Sequence, residues 1–273
     1  MDLVYGTIEG MKSMELNLPN DLKKIIGKMT WLPNKIGRSN ACVYQIISDQ
    51  QRWYLKIQPY APFESSLKKE KEILDWLQNK LPVPRAIYYK QFATNEFLLL
   101  SEVPGWMACD EKWRNQAEHV VIWLAKGLKM IHSIPIANCP FQSDPDKLIQ
   151  EAYLRMIQGY VDENDFDTAR LGKTATELFD LLIQTKPTTY DPVWGHGDYC
   201  LPNILISEEG IRGFIDWSRG GVTDRYFDLA LAVRSITYNL GKKEYVPLFF
   251  QAYELENINQ SKIEFYQLLD EFF

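Results

Sequence analysis

Histidine and cysteine are scarce in this chain: it carries three histidines and four cysteines in 273 residues. Cys42, Cys109, Cys139 and Cys200 are widely separated, as are His119, His132 and His196, so no pair stands at metal-ligand spacing. That argues against a zinc centre and reads the cysteines as free thiols of a reducing compartment. There is no window of 18 apolar residues to span a bilayer. The first residues, Met1 to Glu9, lack the basic start and apolar core of a secretory signal. Basic residues are outnumbered, 30 against 36 acidic ones, for a net charge of −6, so nothing favours a nucleic-acid footprint. The expectation is a soluble, cytoplasmic, monomeric protein with neither a membrane nor a nucleic acid as partner.

What is present is an ordinary globular composition, 46% hydrophobic and 24% charged. The length suits one large domain or two modest lobes. Ala41–Ile47 and Gln51–Ile57 are rich in β-branched and aromatic residues, and the polar Ser48-Asp49-Gln50 between them predicts a hairpin. A helix is expected from about Leu67 to Lys80, ended by Leu81-Pro82-Val83-Pro84. Further strands are expected near Ala86–Tyr89 and Glu96–Leu100, with a crossover at Ser101–Gly105. Beyond it, apolar residues recur at helical spacing (Trp123, Leu124, Leu128, Ile131; then Leu178, Leu181, Leu182). Two late helices are expected at Arg225–Tyr238 and Ser261–Phe272, and short strands at Asn203–Ile206 and Gly213–Asp216. The reading is an α+β chain: a small β-rich lobe over 1–103 with an unassigned amino-terminal extension, then a larger helical lobe over 104–273.

The chemistry concentrates in His196-Gly197-Asp198-Tyr199-Cys200-Leu201-Pro202-Asn203, followed by Phe214-Ile215-Asp216-Trp217. An acid, an amide and a second acid within nineteen residues suit phosphoryl transfer. Asp198 can orient and deprotonate a hydroxyl nucleophile, while Asn203 and Asp216 offer oxygen ligands to magnesium. In the small lobe, Lys56 is able to contact phosphates. Tyr54, two residues earlier on the same strand face, can lie against a nucleobase or simply pack in the core. At ~100° per residue, Ile73, Leu74 and Leu77 fall within about 60° of Glu70. An acid on that apolar stripe needs a partner, which makes Glu70 the choice for Lys56. The small residues around Gly37-Arg38-Ser39-Asn40 could cover phosphates or form a plain strand-entry turn. His196 could brace the catalytic loop. Arg219 and Arg234 could balance phosphate or form structural pairs, and helix capping accounts for Asp224 and Asp228.

With these residues in place, the chain resembles the aminoglycoside phosphotransferases, and among them the 3′-phosphotransferases. The resemblance runs from about Trp31 to the carboxyl end through Lys35-Ile36-Gly37-Arg38-Ser39, Leu81–Pro84, His196–Asn203, Phe214–Arg219, Ala230–Ile236 and Leu268–Phe272. It implies a protein-kinase-like two-lobed fold that transfers the γ-phosphate of ATP to an aminoglycoside hydroxyl, with antibiotic resistance as the consequence. It further implies Asp198 as the catalytic aspartate, Asn203 and Asp216 as Mg2+ ligands, and Lys56 with its partner Glu70 at the phosphates. Ser39 falls in the nucleotide loop, Tyr54 on the nucleobase and Val103 at the hinge against the adenine edge. Toward the substrate it implies Arg219 and Arg234, the acidic run containing Asp162, Glu163, Asp165 and Asp167, and the tail Asp270, Glu271 and Phe272. The alternatives are a kinase-like enzyme for another small natural product, sugar or amino alcohol, and a protein that binds the drug without turnover.

Overall fold

The β-branched and aromatic runs of the first hundred residues form one antiparallel sheet. In the computed structural model, residues 17–34, 41–48, 50–60 and 66–273 are described, which leaves Ser39 and its neighbours outside. The chain opens with helix α1 (Asn20–Ile26) and continues with β1 (Thr30–Asn34), β2 (Cys42–Ile47), β3 (Arg52–Pro59), α2 (Leu67–Leu77), β4 (Ala86–Phe92) and β5 (Asn95–Ser101). The strand order is β1-β2-β3-β5-β4. The expected hairpin is β2–β3, with Val43 opposite Lys56 and Gln45 opposite Tyr54. Its turn is closed by Ser48, whose N–H donates to the Gln51 carbonyl at 2.9 Å and whose hydroxyl accepts from Gln51 N–H at 3.1 Å.

Strand alternation divides this sheet into two faces. Leu55, Ile57, Phe97 and Leu99 on one face meet Leu22 and Ile26 of α1 in a buried cluster with Ile46. The other face carries Lys56 and Gln58 of β3 beside their cross-strand partners Leu98 and Glu96. Helix α2 ends at Leu77, three residues short of the expected Lys80. Asn79 turns into the left-handed region (φ 66), so the helix has stopped before the prolines can stop it.

The rest of the chain contains β6 (Trp106–Met107), α3 (Ala117–His132), α4 (Pro145–Ile157), α5 (Ala175–Gln184), β7 (Pro192–Gly195), β8 (Ile204–Ser207), β9 (Gly210–Phe214), β10 (Gly221–Asp224), α6 (Arg225–Leu240), α7 (Val246–Tyr253) and α8 (Gln260–Asp270). Strands β6, β8 and β9 form one small sheet, and β7 pairs with β10. Helix α6 is buried nearly all round from Tyr226 to Ala232, as expected of a central core helix. It packs on α8, and α3 packs on α7. Backbone contacts separate two units: one runs up to Asp75 and includes Pro84–Glu102; the other comprises Trp76–Val83 and Val103–Phe273. Among the described residues, no helix is long and apolar enough to cross a membrane.

Leu22 is fully buried and, with Ile26, ties α1 to the sheet. Leu22→Ala is expected to destabilise the folded chain by roughly 2–5 kcal/mol, read from urea unfolding monitored by tryptophan fluorescence.

Candidate active site

The segment after β7 cannot continue as a strand, because Gly197 adopts φ 82. A Cβ there would stand 2.4 Å from the Arg219 carbonyl oxygen, so the turn requires glycine both for its conformation and for its close approach. The turned backbone is held by Asp228 of α6. One of its carboxylate oxygens accepts from His196 N–H at 2.7 Å and the other from Gly197 N–H at 2.8 Å. Asp228 also bonds the His132 ring at 3.1 Å. It is fully buried, and although burial alone would raise its carboxyl, the bonds from His132 and His196 keep it below the usual range. His196 braces the loop from within. Its Nδ1 accepts from Asp198 N–H at 3.3 Å, and its Nε2 lies 3.0 Å from the Ile215 carbonyl, which selects the Nε2–H tautomer. Trp217 lies 4.3 Å away, ring centre to ring centre.

Two further bonds fix the reactive groups. Asn203 Nδ2 donates to Asp198 Oδ2 at 2.8 Å and to the Asp198 carbonyl at 2.9 Å. The amide is therefore oriented with its nitrogen toward Asp198, leaving its oxygen as the ligand-type atom. Asp216 lies beyond β9 in the left-handed region (φ 63), an uncommon conformation for a residue with a side chain. Burial pushes the Asp198 carboxyl up; Arg219 pulls it down, while Asp216 and Asp270 add to the rise. Three acids and an arginine thus share one electrostatic neighbourhood. One amide oxygen and one carboxylate suit magnesium, which completes its shell with water and phosphate oxygens. The described residues contain no cluster of three or more acidic, imidazole or thiol groups that would hold an ion by itself.

In the first unit, Lys56 Nζ lies 2.7 and 2.9 Å from the two carboxylate oxygens of Glu70. Glu70 is 1% exposed. Tyr54 follows the same strand face, and its hydroxyl accepts from Gln45 Nε2 at 3.2 Å. Val103 belongs to the second unit, where its side chain and the Pro82 carbonyl crowd Gly213.

The tail and the acidic run meet at a cluster of arginines. Asp270 accepts from Arg219 at 2.8 Å and is also bonded by Arg234. These two arginines outweigh burial and hold the Asp270 carboxyl below its ordinary range. Glu271 accepts from Arg170 at 2.8 Å and from Asp167 N–H at 2.9 Å. Asp167 Oδ2 in turn stands 3.3 Å from Arg170 and 3.8 Å from Arg234. The other three acids act locally. Asp162 turns back on the Asn164 amides, Glu163 accepts from Ala175 N–H at the start of α5, and Asp165 is exposed. The Phe272 ring is fully buried and packs edge-on against Phe179.

A profile of the phosphotransferase enzyme family matches residues 30–266. The chain belongs to that family. An aminoglycoside 3′-phosphotransferase of Niallia circulans is 35% identical over 264 residues, covering 96% of this chain and 100% of that one. Another, of Streptomyces fradiae, is 35% identical over 254 residues, covering 89% and 95%. The crystal structure of an aminoglycoside-3′-phosphotransferase of type VIII superposes with a TM-score of 0.85 at 29% identity, covering 93% of this chain and 97% of the other. The phosphotransferase APH(3″)-Id of Streptomyces rimosus follows at a TM-score of 0.80 and 25% identity, covering 92% and 95%.

In this phosphotransferase, Asp228 and His132 are the supporting residues that sequence reasoning missed. Asp224 caps the helix by accepting from Tyr226 N–H, and its other oxygen accepts from Lys262 at 2.8 Å and Tyr266 at 3.0 Å, but Asp228 stands one turn further in and looks at the loop. Its place inside the otherwise apolar run Tyr226–Val233 was the available signal. Two outcomes test the site. Gly197→Ala is expected to lower both kcat and Tm, since the displaced neighbour is backbone. Burial and Asp167 push the Glu271 carboxyl up to about 7, against an ordinary value of 4.5. A folded-state value above the unfolded one means that the folded state favours the protonated acid. Glu271→Gln should therefore raise Tm most above about pH 7, with the gain shrinking as pH falls below about 7 and gone below about 4.5, measured by thermal melts across pH.

Proposed function

We propose that this phosphotransferase moves the γ-phosphate of ATP to the 3′-hydroxyl of an aminoglycoside. The observation that carries the reading is the Asn203 amide nitrogen donating to Asp198 Oδ2 at 2.8 Å, which fixes the direction of the carboxylate and turns the amide oxygen away as a ligand-type atom. In the reaction, Asp198 orients the acceptor hydroxyl and takes its proton. The hydroxyl oxygen forms a bond to the γ-phosphorus, the bridge to the β-phosphate breaks, and ADP leaves with the electron pair. Lys56, held by Glu70, contacts the phosphates of ATP, with Tyr54 on the base and Val103 along the adenine edge. Asn203 and Asp216 would hold magnesium, whose charge would neutralise the phosphates.

Support for a polycationic acceptor comes from the tail. Asp167, Asp270 and Glu271 already bind guanidinium groups, so the same oxygens suit the ammonium groups of an aminoglycoside, with Arg219 and Arg234 adjusting around them. The named relatives agree with that substrate class. The modified drug carries an anion where a recognition hydroxyl stood, which yields resistance. We assign the reaction to a monomeric cytoplasmic enzyme.

Incubation with kanamycin and Mg-ATP, followed by phosphorus and proton NMR of the product, tests chemistry and regiochemistry together. A phosphate on the 3′-oxygen is expected, and Asp198→Ala should reduce kcat on the order of 100- to 10,000-fold. A phosphate at 3″, a preference for a neutral sugar, or drug binding without ADP release would each overturn the assignment.

A further inference from the structure

A buried acid outside the catalytic set occupies the first unit. Glu96 of β5 is 2% exposed, and its carboxylate collects five donors. Tyr89 Oη and Ser66 Oγ donate at 2.7 and 2.8 Å, Gln58 Nε2 and Leu67 N–H at 3.2 Å, and Lys68 N–H at 3.4 Å. Leu67 and Lys68 open α2, so a side chain of the sheet receives the unsatisfied amides of a helix start. An ordinary cap does not require this. Ser66, adjacent in sequence, already accepts from Lys68 N–H at 3.0 Å. What Glu96 adds is a tie between the helix and a different element.

The position of that tie matters. Glu96 stands opposite Gln58, and Lys56 stands opposite Leu98, all on one face of the sheet. Lys56 and Gln58 are separated by two strand residues, roughly 7 Å. Leu67 and Glu70 are separated by three helical residues, roughly 4.5 Å. Helix α2 therefore meets the same sheet face at two nearby points, Glu96 to its first amides and Lys56 to Glu70. With the first point fixed, the axial and rotational setting of the second follows. Burial alone would raise the Glu96 carboxyl, but the bonds from Tyr89, Ser66, Leu67 and Gln58 outweigh it and keep it ionised.

We infer that Glu96 is a positioning residue for phosphoryl transfer, anchoring α2 to β3 and β5 so that Glu70 holds Lys56 in its phosphate-binding geometry. The inference rests on the phosphotransfer reading. The test is a double-mutant cycle in the full chain: kcat and KM for ATP and kanamycin with wild type, Glu96→Gln, Glu70→Gln and the pair. Glu96→Gln is expected to lower kcat on the order of 10- to 100-fold, with KM for kanamycin unchanged. In the Glu70→Gln background the same change should have little further effect, because the two act through one contact. A general loss of stability would instead multiply through both backgrounds. Tyr89→Phe, which removes one donor and keeps the carboxylate, should give the same pattern at smaller size if Glu96→Gln folds poorly. Full kcat in Glu96→Gln, or independent multiplication of the two losses, overturns the inference. Wild-type turnover of kanamycin judges the phosphotransfer reading by itself. Were it absent, amide exchange along Leu67–Leu77 would still decide whether Glu96 sets the helix: faster exchange through Glu70 in Glu96→Gln supports it, and unchanged exchange overturns it.

Discussion

The grip of Asp228 on two consecutive amides of the loop that carries Asp198 is the contact on which the shape of that loop depends. A fully buried carboxylate without partners would be costly; here His132, His196 N–H and Gly197 N–H supply them. The acid sits on the most buried helix of the unit, so the loop takes its shape from the core. Tyr253 extends the support: its hydroxyl bonds His132 Nδ1 at 2.7 Å and accepts from Arg225 at 3.3 Å. Hydrogen bonds thus run from Arg225 through Tyr253 and His132 to Asp228 and on to the His196 and Gly197 amides, beside the aromatic rings of Trp194, Trp217 and Tyr199. Asp198 is partly open to solvent, while His196 and Asp228 are buried.

The acids proposed for the substrate side are under a different constraint. Asp167, Asp270 and Glu271 stand against Arg170, Arg219 and Arg234, so each already has a cationic partner within the protein. Under the proposed function, a polyamine entering here would exchange one cationic partner for another and would meet no bare field of negative charge. Binding of that kind is governed by geometry and desolvation more than by net charge. The overall charge of −6 is therefore a poor guide to where the acceptor goes.

Local chemistry made some of this legible in the sequence. The β2–β3 hairpin follows from its β-branched runs, and Glu70 emerges from helical geometry because an acid on an apolar stripe needs a partner. Other features depend on residues far apart in the chain. Strand β7 has four residues and begins at a proline, and its partner β10 brings Gly221 opposite Gly195; no periodicity announces such a pair. Helix α4 has exposed Tyr153 and Ile157, which blurs its apolar stripe. The expected strand Gly213–Asp216 is shorter at its end because a positive φ at Asp216 cannot continue a ladder. Asp228 was hidden by its own plausibility, since an acid in the first turn of a helix already has a local explanation. Ser39 and the segment around it fall outside the described residues.

Asp216 also bears on how the enzyme can be engineered. A left-handed backbone costs an ordinary L-residue on the order of 1 kcal/mol or more; aspartate and asparagine tolerate it better, and glycine meets no penalty. Random selection for thermal robustness would therefore be drawn to glycine at this position, at the cost of the carboxylate. Under the proposed function such variants would be durable but inert, so a useful campaign keeps residue 216 fixed while it searches elsewhere.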